Sequence, residues 1–454
     1  MASDTSTTEA ASLVGQEYEV EVGPVAHGGH CVARTAEGRV LFVRHTLPGE
    51  RVVARVTEGH ADARFLRADA VRVLTASKDR VPAPCPFSGP GRCGGCDWQH
   101  AKPGAQRRLK GEVLTEQLRA LAGLTPQEAG WDGTVEPAPG DKVPAGEVRG
   151  WRTRVQYAVD DEGRAGLRRH RSHEVEPVDR CLIAADEITD LGVERHSWPG
   201  IATVEAAAAT GSSDRMVVLT PRPGGRLPLV ALDRPVSVMR AEESRGRGGE
   251  QQVHRVHGRA FLRERADGRT WRVSGGGFWQ GHREAAGLLV DAVMRGLTPR
   301  KGEMALDLYC GAGLFAGALA DRVGEGGAVL GIEASARAVR DARHNLADFP
   351  RVRVEQGPVA RVLPRTGITR ADLVVLDPPR AGAGHDVVRR IASLGARRVA
   401  YVACDPAALA RDLAHFRAAG YAPRFLRAFD LFPMTQHLEC VAILQPMRER
   451  ASGQ

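Results

Sequence analysis

Apolar and polar residues alternate along residues 13–75, in short runs that are separated by turn-forming residues. Alternation with a period of two residues is typical of half-buried strands, and the glycines, prolines and acidic residues between the runs favour tight turns. Several short strands at this spacing predict a small β-barrel of OB-like size. A fragment of a β-sandwich gives a similar pattern, so the alternation alone leaves both architectures open.

The central part of the chain, residues 76–270, has a mixed pattern that predicts an α+β region. It begins with a loop that is rich in proline, glycine and cysteine. Residues 106–124 predict one amphipathic helix that ends at a glycine, and this helix could pack on the C-terminal domain instead. Residues 125–148 indicate irregular structure, and residues 241–252 indicate a flexible loop.

From residue 271 onwards, near-continuous apolar strands alternate with helical segments. Strands that are apolar along their whole length are buried on both faces, which is typical of a parallel sheet covered by helices. Residues 271–454 therefore predict a doubly wound, Rossmann-like domain, and we assign the chain to the α/β class. Ligands of such sheets bind beyond the carboxyl ends of the strands, so polar residues at those ends are candidate site residues.

The predicted strand ends carry carboxylates and, in DLYCGAGLF, two glycines. Gly311 and Gly313 follow Asp307 and allow the backbone to approach a ligand closely. Glu333 ends the next strand, where a carboxylate can accept hydrogen bonds from the two hydroxyls of a ribose, and Asp377 ends a later strand in DPPR. The loop lacks G-x-G-x-x-G spacing and a phosphate-binding lysine, which favours S-adenosylmethionine over NAD. A structural turn without a ligand is the alternative.

A cysteine, Cys404, stands between a predicted strand and a predicted helix in RRVAYVACDPAAL. A helix N-terminus stabilises a thiolate, and a thiolate that adds to C6 of a pyrimidine allows C5 to accept a methyl group. A base must then remove the C5 proton, and Glu439, just before the last apolar run, is a candidate. Free cysteines are more often packing residues, so the residues alone favour a structural role for Cys404 and leave Glu439 ambiguous.

Three further cysteines lie close together in CPFSGPGRCGGC, namely Cys85, Cys93 and Cys96, and Cys181 in DRCLIA could be a fourth ligand. Cysteine-rich loops of this kind bind a metal in a reduced compartment. Zinc sites often have two short cysteine pairs, whereas only one pair here has two residues between its members. The spacing therefore leaves an iron–sulfur cluster, zinc and unliganded thiols open, with zinc less favoured.

The net charge of +8 suits a polyanionic partner such as RNA, although a general preference for arginine over lysine explains it equally well. Residues 149–180 add weight to RNA, because they carry eight arginines against six acidic residues and alternate in part with apolar residues, as on an exposed sheet surface. Residues 1–16 lack the apolar centre of a signal peptide, and no stretch resembles a membrane span. We expect a cytoplasmic monomer with reduced cysteines and no membrane partner.

Five short motifs follow one another in the C-terminal half of the chain. In order, they are FWQGH (278–282), DLYCGAG (307–313), DPPR (377–380), YVACDPAALARD (401–412) and HLEC (437–440). In this order they resemble the motifs of the RNA 5-methyluridine methyltransferases, and the resemblance extends over residues 13–446. The chain is similar to the branch of that family with an N-terminal TRAM domain and an iron–sulfur cluster.

The resemblance implies a TRAM-like barrel (13–75), an iron–sulfur and RNA-binding region (76–270) and an S-adenosylmethionine-dependent methyltransferase domain (271–454). It implies methylation of C5 of a uridine in RNA through a covalent bond between a cysteine and C6 of the base. The combination of a TRAM domain and a cluster favours 23S ribosomal RNA over transfer RNA as the substrate.

The resemblance also implies roles for individual residues. Cys404 would be the nucleophile and Glu439 the base for the C5 proton, and Phe278 is a lesser candidate for stacking on the target base. The residues implied around the cofactor and the base are Gln280, Asp307, Gly311, Gly313, Glu333 and Asp377. The residues implied as ligands of a 4Fe–4S cluster, with zinc as the alternative metal, are Cys85, Cys93, Cys96 and Cys181.

One departure from the family pattern lies at residues 403–406, which are Ala-Cys-Asp-Pro where the family usually has Ser-Cys-Asn-Pro. An acid beside the nucleophile is expected to raise the pKa of the thiol and to slow its attack. Asp405 keeps the N-cap role, because Asp caps a helix as well as Asn does.

Two functions other than C5 methylation stay open. A methyltransferase acting on a base nitrogen would be supported by an aromatic residue after DPP, where this chain has Arg380. An RNA-binding iron–sulfur protein without catalysis would lack the nucleophile or the base, whereas Cys404 and Glu439 are both present.

Overall fold

The computed structural model describes residues 11–141, 149–229, 231–242 and 251–447, so most of the loop predicted over 241–252 lies outside the described residues. Within these ranges, the strands form a closed barrel, two larger sheets and a two-stranded hairpin. Among the described helices, none is both long and apolar enough to cross a membrane.

The N-terminal strands form the predicted barrel. They are β1 (Glu17–Val25), β2 (Cys31–Arg34), β3 (Val40–Arg44), β4 (Arg51–Glu58) and β5 (Phe65–Thr75). They close in the order β1-β2-β3-β5-β4, and β3 runs parallel to β5. Alternate side chains fill the barrel, where Leu41, Val43, Val52 and Leu66 are fully buried. The alternation along residues 13–75 therefore reflects a barrel, and the β-sandwich alternative is wrong.

The helix predicted over 106–124 is confirmed, although it begins earlier, as α1 (Pro103–Gln117). A π-turn, Leu118–Ala122, extends it to Gly123, whose φ of 58° lies in the left-handed region and ends the helix. Its buried face packs in two places. Leu114 lies in the core of the C-terminal domain, whereas Leu109 and Val113 lie in the core of the barrel.

The segment after this helix corrects the prediction of irregular structure over 125–148. Its strand β6 (Val135–Pro137) extends the sheet of the C-terminal domain. Gly130, with φ of 68°, permits a close approach to that sheet, because a Cβ there would lie 2.5 Å from the carbonyl oxygen of Arg424. A strand of this length has too few residues to show a period. We propose domain boundaries at residues 76 and 271, although α1 and β6 pack with the C-terminal domain.

The central sheet has Tyr157, Trp198 and Val204 in its core. Its strands are β7 (Arg154–Val159), β8 (Ala165–Arg168), β9 (Val175–Pro177), β10 (Ile201–Ala208), β11 (Arg215–Pro221), β12 (Ser237–Ala241) and β13 (Val253–His257), and the helical turn α2 (Asp186–Thr189) lies between β9 and β10. Their spatial order is β13-β12-β11-β10-β7-β8-β9. A hairpin of β14 (Phe261–Ala266) and β15 (Arg269–Ser274) then leads into the C-terminal domain.

The C-terminal domain alternates strands and helices, as the sequence predicts. Its strands are β16 (Met304–Leu308), β17 (Ala328–Glu333), β18 (Val352–Gln356), β19 (Leu373–Leu376), β20 (Arg398–Ala403), β21 (Tyr421–Asp430) and β22 (Glu439–Pro446). Its helices are α3 (Ala285–Leu297), α4 (Leu314–Val323), α5 (Ala336–Asn345), α6 (Val359–Val362), α7 (His385–Ser393) and α8 (Pro406–Ala418). Short 3-10 turns elsewhere in the chain span Pro139–Asp141, Val193–Arg195 and Leu363–Arg365.

The order of the C-terminal sheet is β18-β17-β16-β19-β20-β22-β21-β6. Its strands run parallel except for β22, which is antiparallel to both of its neighbours. Helices α3, α4 and α5 cover one face, and α1, α7 and α8 cover the other. This confirms the Rossmann-like α/β domain.

A buried ion pair fastens α1 to the end of β21. Lys110 Nζ donates to Asp430 Oδ1 at 2.5 Å and to the carbonyl oxygen of Phe432 at 3.0 Å, and both charged side chains are almost fully buried. Burial lowers the pKa of Lys110, and the charge of Asp430 opposes this shift. A buried charge is tolerated only with its partner, so the packing of α1 depends on both residues.

We expect Lys110→Met to lower the free energy of unfolding by about 3–5 kcal/mol, because it leaves the Asp430 carboxylate buried without a counter-charge. The double variant Lys110→Met/Asp430→Leu removes both charges and should recover most of the loss. Urea denaturation followed by tryptophan fluorescence measures both effects. Lys102→Met, at an exposed lysine beside the start of the same helix, is the control. A single variant as stable as this control would contradict the expectation.

Candidate active site

Five of the predicted site residues meet at one edge of the C-terminal sheet. Asp307 lies near the end of β16 and Glu333 ends β17, while Asp377 and Cys404 directly follow β19 and β20. These strands are parallel, so their carboxyl ends share one edge. Because β22 runs in the opposite direction and begins at Glu439, it brings this residue to the same edge.

The glycine loop after β16 is held by Glu333. The backbone N–H of Gly311 donates to Oε2 of Glu333 at 3.1 Å, and that of Ser335 donates to Oε1 at 2.7 Å. Gly313 has a φ of 94°, and a Cβ on it would lie 2.8 Å from Leu346 Cδ1, so a residue with a side chain would be strained there. The predicted roles of the two glycines and of Glu333 therefore fall on one connected turn.

Asp307 is fully buried beneath this turn. Its Oδ2 accepts a hydrogen bond from the backbone N–H of Ala316 at 2.7 Å, whereas Oδ1 is buried without a hydrogen-bond partner among the described residues. Burial raises the pKa of Asp307 well above its ordinary value, and the charges of Asp377 and Glu333 add to this. A buried oxygen without a partner is costly unless a ligand or water completes it. The turn thus fits a ligand that carries hydrogen-bond donors, and S-adenosylmethionine is such a ligand.

The strand register brings Cys404 and Glu439 together. Ala403 pairs with Cys440 in the antiparallel ladder of β20 and β22. Directly opposed residues of such a ladder share a face, so the next position places Cys404 opposite Glu439. The glutamate is buried and the cysteine is half-buried. A thiol and a carboxyl group therefore face the same space at the sheet edge.

Burial and neighbouring charges set the protonation of this pair. Burial raises the pKa of Cys404 to about 11, with further contributions from the charges of Glu439 and Asp377, whereas Arg380 acts in the opposite direction. Burial also raises the pKa of Glu439 well above its ordinary value, and it raises the pKa of Asp377 to about 7. The expected effect of Asp405 on the thiol is present, but it is smaller than those of burial and of Glu439.

Arg380 has a role that its motif did not indicate. Its guanidinium lowers the pKa of both Cys404 and Glu439, and its Nη2 lies 3.3 Å from Nε2 of His437. Burial lowers the pKa of His437 to about 4, so its ring is neutral at ordinary pH and can accept this hydrogen bond. A fixed positive charge therefore stands near the thiol, where it favours a thiolate.

Helix α8 begins directly behind the thiol. As predicted, Asp405 caps this helix, because its Oδ1 accepts a hydrogen bond from the backbone N–H of Ala408 at 2.8 Å. Pro406 occupies the first helical position. Sequence reasoning missed the second partner of this aspartate. Its Oδ2 lies 3.1 Å from Nε2 of His27, which belongs to the barrel. No local pattern could reveal a contact between residues so far apart in the chain.

Two other candidates lie in the loop between β15 and α3. Phe278 is 71% exposed, the next residue, Trp279, is buried, and Gln280 is half-buried. The loop is anchored to the central sheet, because the carbonyl oxygen of Gly281 accepts hydrogen bonds from both N–H and Oγ1 of Thr153. An exposed ring is available for stacking, but the roles of both residues stay predictions.

The four cysteines of the predicted cluster lie near one another. The charges of Cys85 and Cys181 raise the pKa of Cys93, and that of Cys181 raises the pKa of Cys96, although burial is the main cause for both thiols. The backbone N–H of Gly95 donates to Cys93 Sγ at 3.4 Å. Across the ranges that the structure describes, however, no group of three or more His, Cys, Asp or Glu side chains has the arrangement of a metal site. The convergence of the thiols is compatible with a cluster, and the ligand set stays a prediction.

The arginine-rich segment differs from the expected exposed surface. Arg154 is half-buried and donates to the carbonyl oxygen of Gly277 at 3.0 Å and to Glu264 at 3.3 Å. Arg169 is paired with Glu174 and Glu176. Arg152 is half-buried as well, whereas the other five arginines of the segment are exposed, so the basic surface that the sequence predicts is present only in part.

The fold and the acids at the strand ends define the class of protein. The C-terminal domain has the fold of S-adenosylmethionine-dependent methyltransferases, and residues 299–421 match the family described as a methyltransferase domain. Residues 11–71 match the TRAM domain family, so the barrel is a TRAM domain, as the resemblance implied.

Proteins named as RNA methyltransferases are similar along nearly the whole chain. An uncharacterized RNA methyltransferase of Streptomyces coelicolor is 74% identical over 439 residues, which are 97% of this chain and 95% of that protein. Another, from Bifidobacterium longum, is 35% identical over 442 residues, which are 94% of this chain and 96% of that protein. The chain belongs to this family of RNA methyltransferases.

A solved structure shows the same overall fold. The tRNA (uracil-54, C5)-methyltransferase of Pyrococcus abyssi, in complex with S-adenosylhomocysteine, matches with a TM-score of 0.67 at 22% sequence identity. The match covers 94% of this chain and 100% of the other. The arrangement of barrel, central region and C-terminal domain is therefore shared by both proteins.

We expect Glu333→Gln to weaken the binding of S-adenosylhomocysteine by about tenfold to a hundredfold, because hydrogen bonds to a charged group contribute about 1.5–3 kcal/mol. Isothermal titration calorimetry measures the affinity. Glu355→Gln is the matched control, since Glu355 lies exposed on the neighbouring strand β18. Equal affinities of the two variants would contradict the role of Glu333.

Proposed function

We propose that this RNA methyltransferase methylates C5 of a uridine through addition of Cys404 to C6 of the base. The observation that carries the proposal is the register of β20 and β22, which sets the thiol opposite the Glu439 carboxyl group. We further propose a cytoplasmic location and 23S ribosomal RNA as the substrate. Because the thiol lies at the sheet edge, the target base has to leave its stack to reach it.

The first bond forms between Cys404 Sγ and C6. The thiol loses its proton to solvent, and the thiolate adds to C6 while the electron pair of the C5–C6 double bond moves to C5 and O4. Since the pKa of the thiol is about 11 in the free protein, this ionisation needs help. Arg380 and the N-terminus of α8 are the groups placed to stabilise the anion.

The methyl group is then taken from S-adenosylmethionine, which is a substrate of the reaction and leaves as S-adenosylhomocysteine. Glu439 accepts the C5 proton, the C5–C6 double bond forms again, and Cys404 leaves as a thiolate. Glu439 has to be ionised at this step. The charge of Arg380 favours this ionisation, whereas burial and the charge of Asp377 oppose it.

Arg380 weighs against methylation of a base nitrogen. It stands directly after DPP, where an aromatic ring that stacks on the target base would support that chemistry. Here the position carries a cation that acts on Cys404 and Glu439. Methylation of a nitrogen needs no protein nucleophile, so the presence of the Cys404 thiol favours C5 chemistry.

Transfer RNA is the second candidate substrate. The solved Pyrococcus abyssi enzyme that matches nearly the whole chain is named for uracil-54 of tRNA. A TRAM domain in front of this catalytic fold therefore does not by itself select ribosomal RNA. Both RNA classes belong in the assay.

We expect the protein to release tritium to water from RNA that carries tritium at C5 of uridine, when S-adenosylmethionine is present. Cys404→Ala should abolish release, because no adduct can form. Cys31→Ser is the matched control, since Cys31 is a buried barrel thiol whose pKa burial raises to about 12. Scintillation counting with separate 23S and transfer RNA pools identifies the substrate. Methyl incorporation without tritium release would contradict C5 chemistry.

The base can be tested in the same system. We expect Glu439→Gln to form the methylated adduct but not to resolve it, because the C5 proton then has no acceptor. A complex of RNA and protein that survives denaturing electrophoresis, and that needs both S-adenosylmethionine and Cys404, would be the expected result. Normal turnover by this variant would show that a group other than Glu439 accepts the C5 proton.

We also propose that Cys85, Cys93, Cys96 and Cys181 hold a 4Fe–4S cluster, with zinc as the alternative metal. Support comes from the proximity of these thiols, which is close enough for the charge of one to raise the pKa of another. In addition, Cys96 and Cys181 lie in one apolar cluster with Trp151. Cysteine thiolates would ligate such a cluster, and this chain's apolar side chains would shield it from water. The bound cluster would order the loop between the barrel and the C-terminal domain.

Protein purified without oxygen should contain iron and sulfide in equal amounts, about four of each per chain if the cluster is of the 4Fe–4S type. Cys96→Ser should lose both, whereas Cys31→Ser should keep both. Metal analysis and the visible absorption of the protein measure the content. Zinc without sulfide would support the alternative metal instead.

A further inference from the structure

A histidine of the TRAM barrel reaches the catalytic edge of the sheet. His27 lies in the turn between β1 and β2, and its Nε2 stands 3.1 Å from Oδ2 of Asp405, the residue after the proposed nucleophile. Both side chains are partly buried, with exposures of 37% for His27 and 22% for Asp405. The contact joins residues at opposite ends of the chain, so it exists only because the two domains are packed together.

The turn that carries His27 is fixed on both sides. The carbonyl oxygen of Gly29 accepts a hydrogen bond from Nε1 of the buried Trp98 at 2.9 Å. A Cβ on Gly29 would lie 2.7 Å from Cβ of Gln436, which belongs to the loop that leads to Glu439. The position of His27 is therefore set by the same contacts that hold the catalytic loops.

The two oxygens of Asp405 have separate partners. Oδ1 caps α8 through the backbone N–H of Ala408, and Oδ2 is left for His27. An asparagine in this position would keep the cap through its one oxygen and carry no charge. The aspartate of this chain adds a negative charge beside the thiol, and its charge raises the pKa of Cys404.

The electrostatic surroundings of the histidine favour a charged pair. The hydrogen bond to Asp405 raises the pKa of His27, against the opposing effect of burial. The other charged groups that face His27 are Arg411, which lowers its pKa, and Glu116, which raises it. In return, the hydrogen bond from His27 lowers the pKa of Asp405, against the effect of burial. An imidazolium and a carboxylate therefore stabilise each other next to Cys404.

We propose that His27 is a positioning residue of the active site, which holds the Asp405 side chain and offsets its negative charge beside the Cys404 thiol. The inference rests on the proposed role of Cys404 and extends it. It makes the TRAM barrel a part of the catalytic apparatus. It also explains how this chain tolerates Asp at residue 405, where the family pattern usually has Asn.

The test measures the reactivity of Cys404 itself, without RNA. The holoprotein is treated with iodoacetamide over a range of pH, and alkylation of the Cys404 peptide is followed by mass spectrometry. We expect His27→Ala to slow alkylation by roughly three- to tenfold below the thiol pKa, as a rise of half to one pKa unit would. The loss should be larger at pH values where the histidine of the parent protein is charged.

Two further variants separate charge from structure. In the double variant His27→Ala/Asp405→Asn the rate should return to within about twofold of the parent, because no negative charge is left to offset. His60→Ala is the matched control, since His60 also pairs with an aspartate, Asp62, but on the exposed side of the barrel. Where His27→Ala does not fold, His27→Gln keeps a donor for Asp405 without the charge and should still slow alkylation at the lower pH values.

An unchanged alkylation profile in the folded His27 variants would overturn the proposal. So would a failure of Asp405→Asn to rescue His27→Ala, because the loss would then be structural. Alkylation does not depend on the methylated atom. A shifted profile together with absent tritium release would therefore reject C5 methylation and leave the role of His27 standing, while the reverse result would reject His27 alone.

Discussion

The direction of strand β22 brings the carboxyl group of Glu439 to the thiol of Cys404. Strand β22 runs antiparallel between β20 and β21, so that it begins at the edge where β20 ends. If β22 were parallel, Glu439 would lie at the opposite edge of the sheet, a strand length away from Cys404. The ladder hydrogen bonds that pair Ala403 with Cys440 therefore hold Cys404 and Glu439, the proposed nucleophile and base, close together. A slip by one residue would turn Glu439 to the other face.

The same edge gathers acids that would repel one another if all were ionised. Burial raises the pKa of Asp307, Asp377 and Glu439, and the charge of Asp377 adds to the shifts of the other two. Such a concentration of costly groups is a feature of functional sites rather than of structural cores. The positive charge of Arg380 acts in the opposite direction and lowers the pKa values of Cys404 and Glu439. The site therefore holds, at a cost in stability, carboxyl groups whose pKa values are raised above their ordinary range.

Much of the candidate site could be predicted because it depends on local sequence. Apolar runs define the strands, and the residue at the end of each run, such as Glu333 or Cys404, is placed by topology alone. The cap of α8 by Asp405 is equally local. The strand β6 was missed because it is short and owes its structure to a neighbour remote in sequence. The pairing of His27 with Asp405 was missed for the same reason, since it depends on how two domains dock.

The central segment shows the limit of composition as a guide. Alternating arginines around β7 suggested an exposed basic surface, but the half-buried Arg154 donates hydrogen bonds to Glu264 and to the carbonyl oxygen of Gly277. An arginine and an acid that meet between two sheets look in sequence like two unrelated charges. The barrel turn, the cysteine loop and the segment before Glu439 also interlock, because Asp97 Oδ2 accepts from the backbone N–H of Gln436 at 3.1 Å. Domain packing therefore completes the candidate active site, because it brings His27 of the barrel to Asp405 beside Cys404.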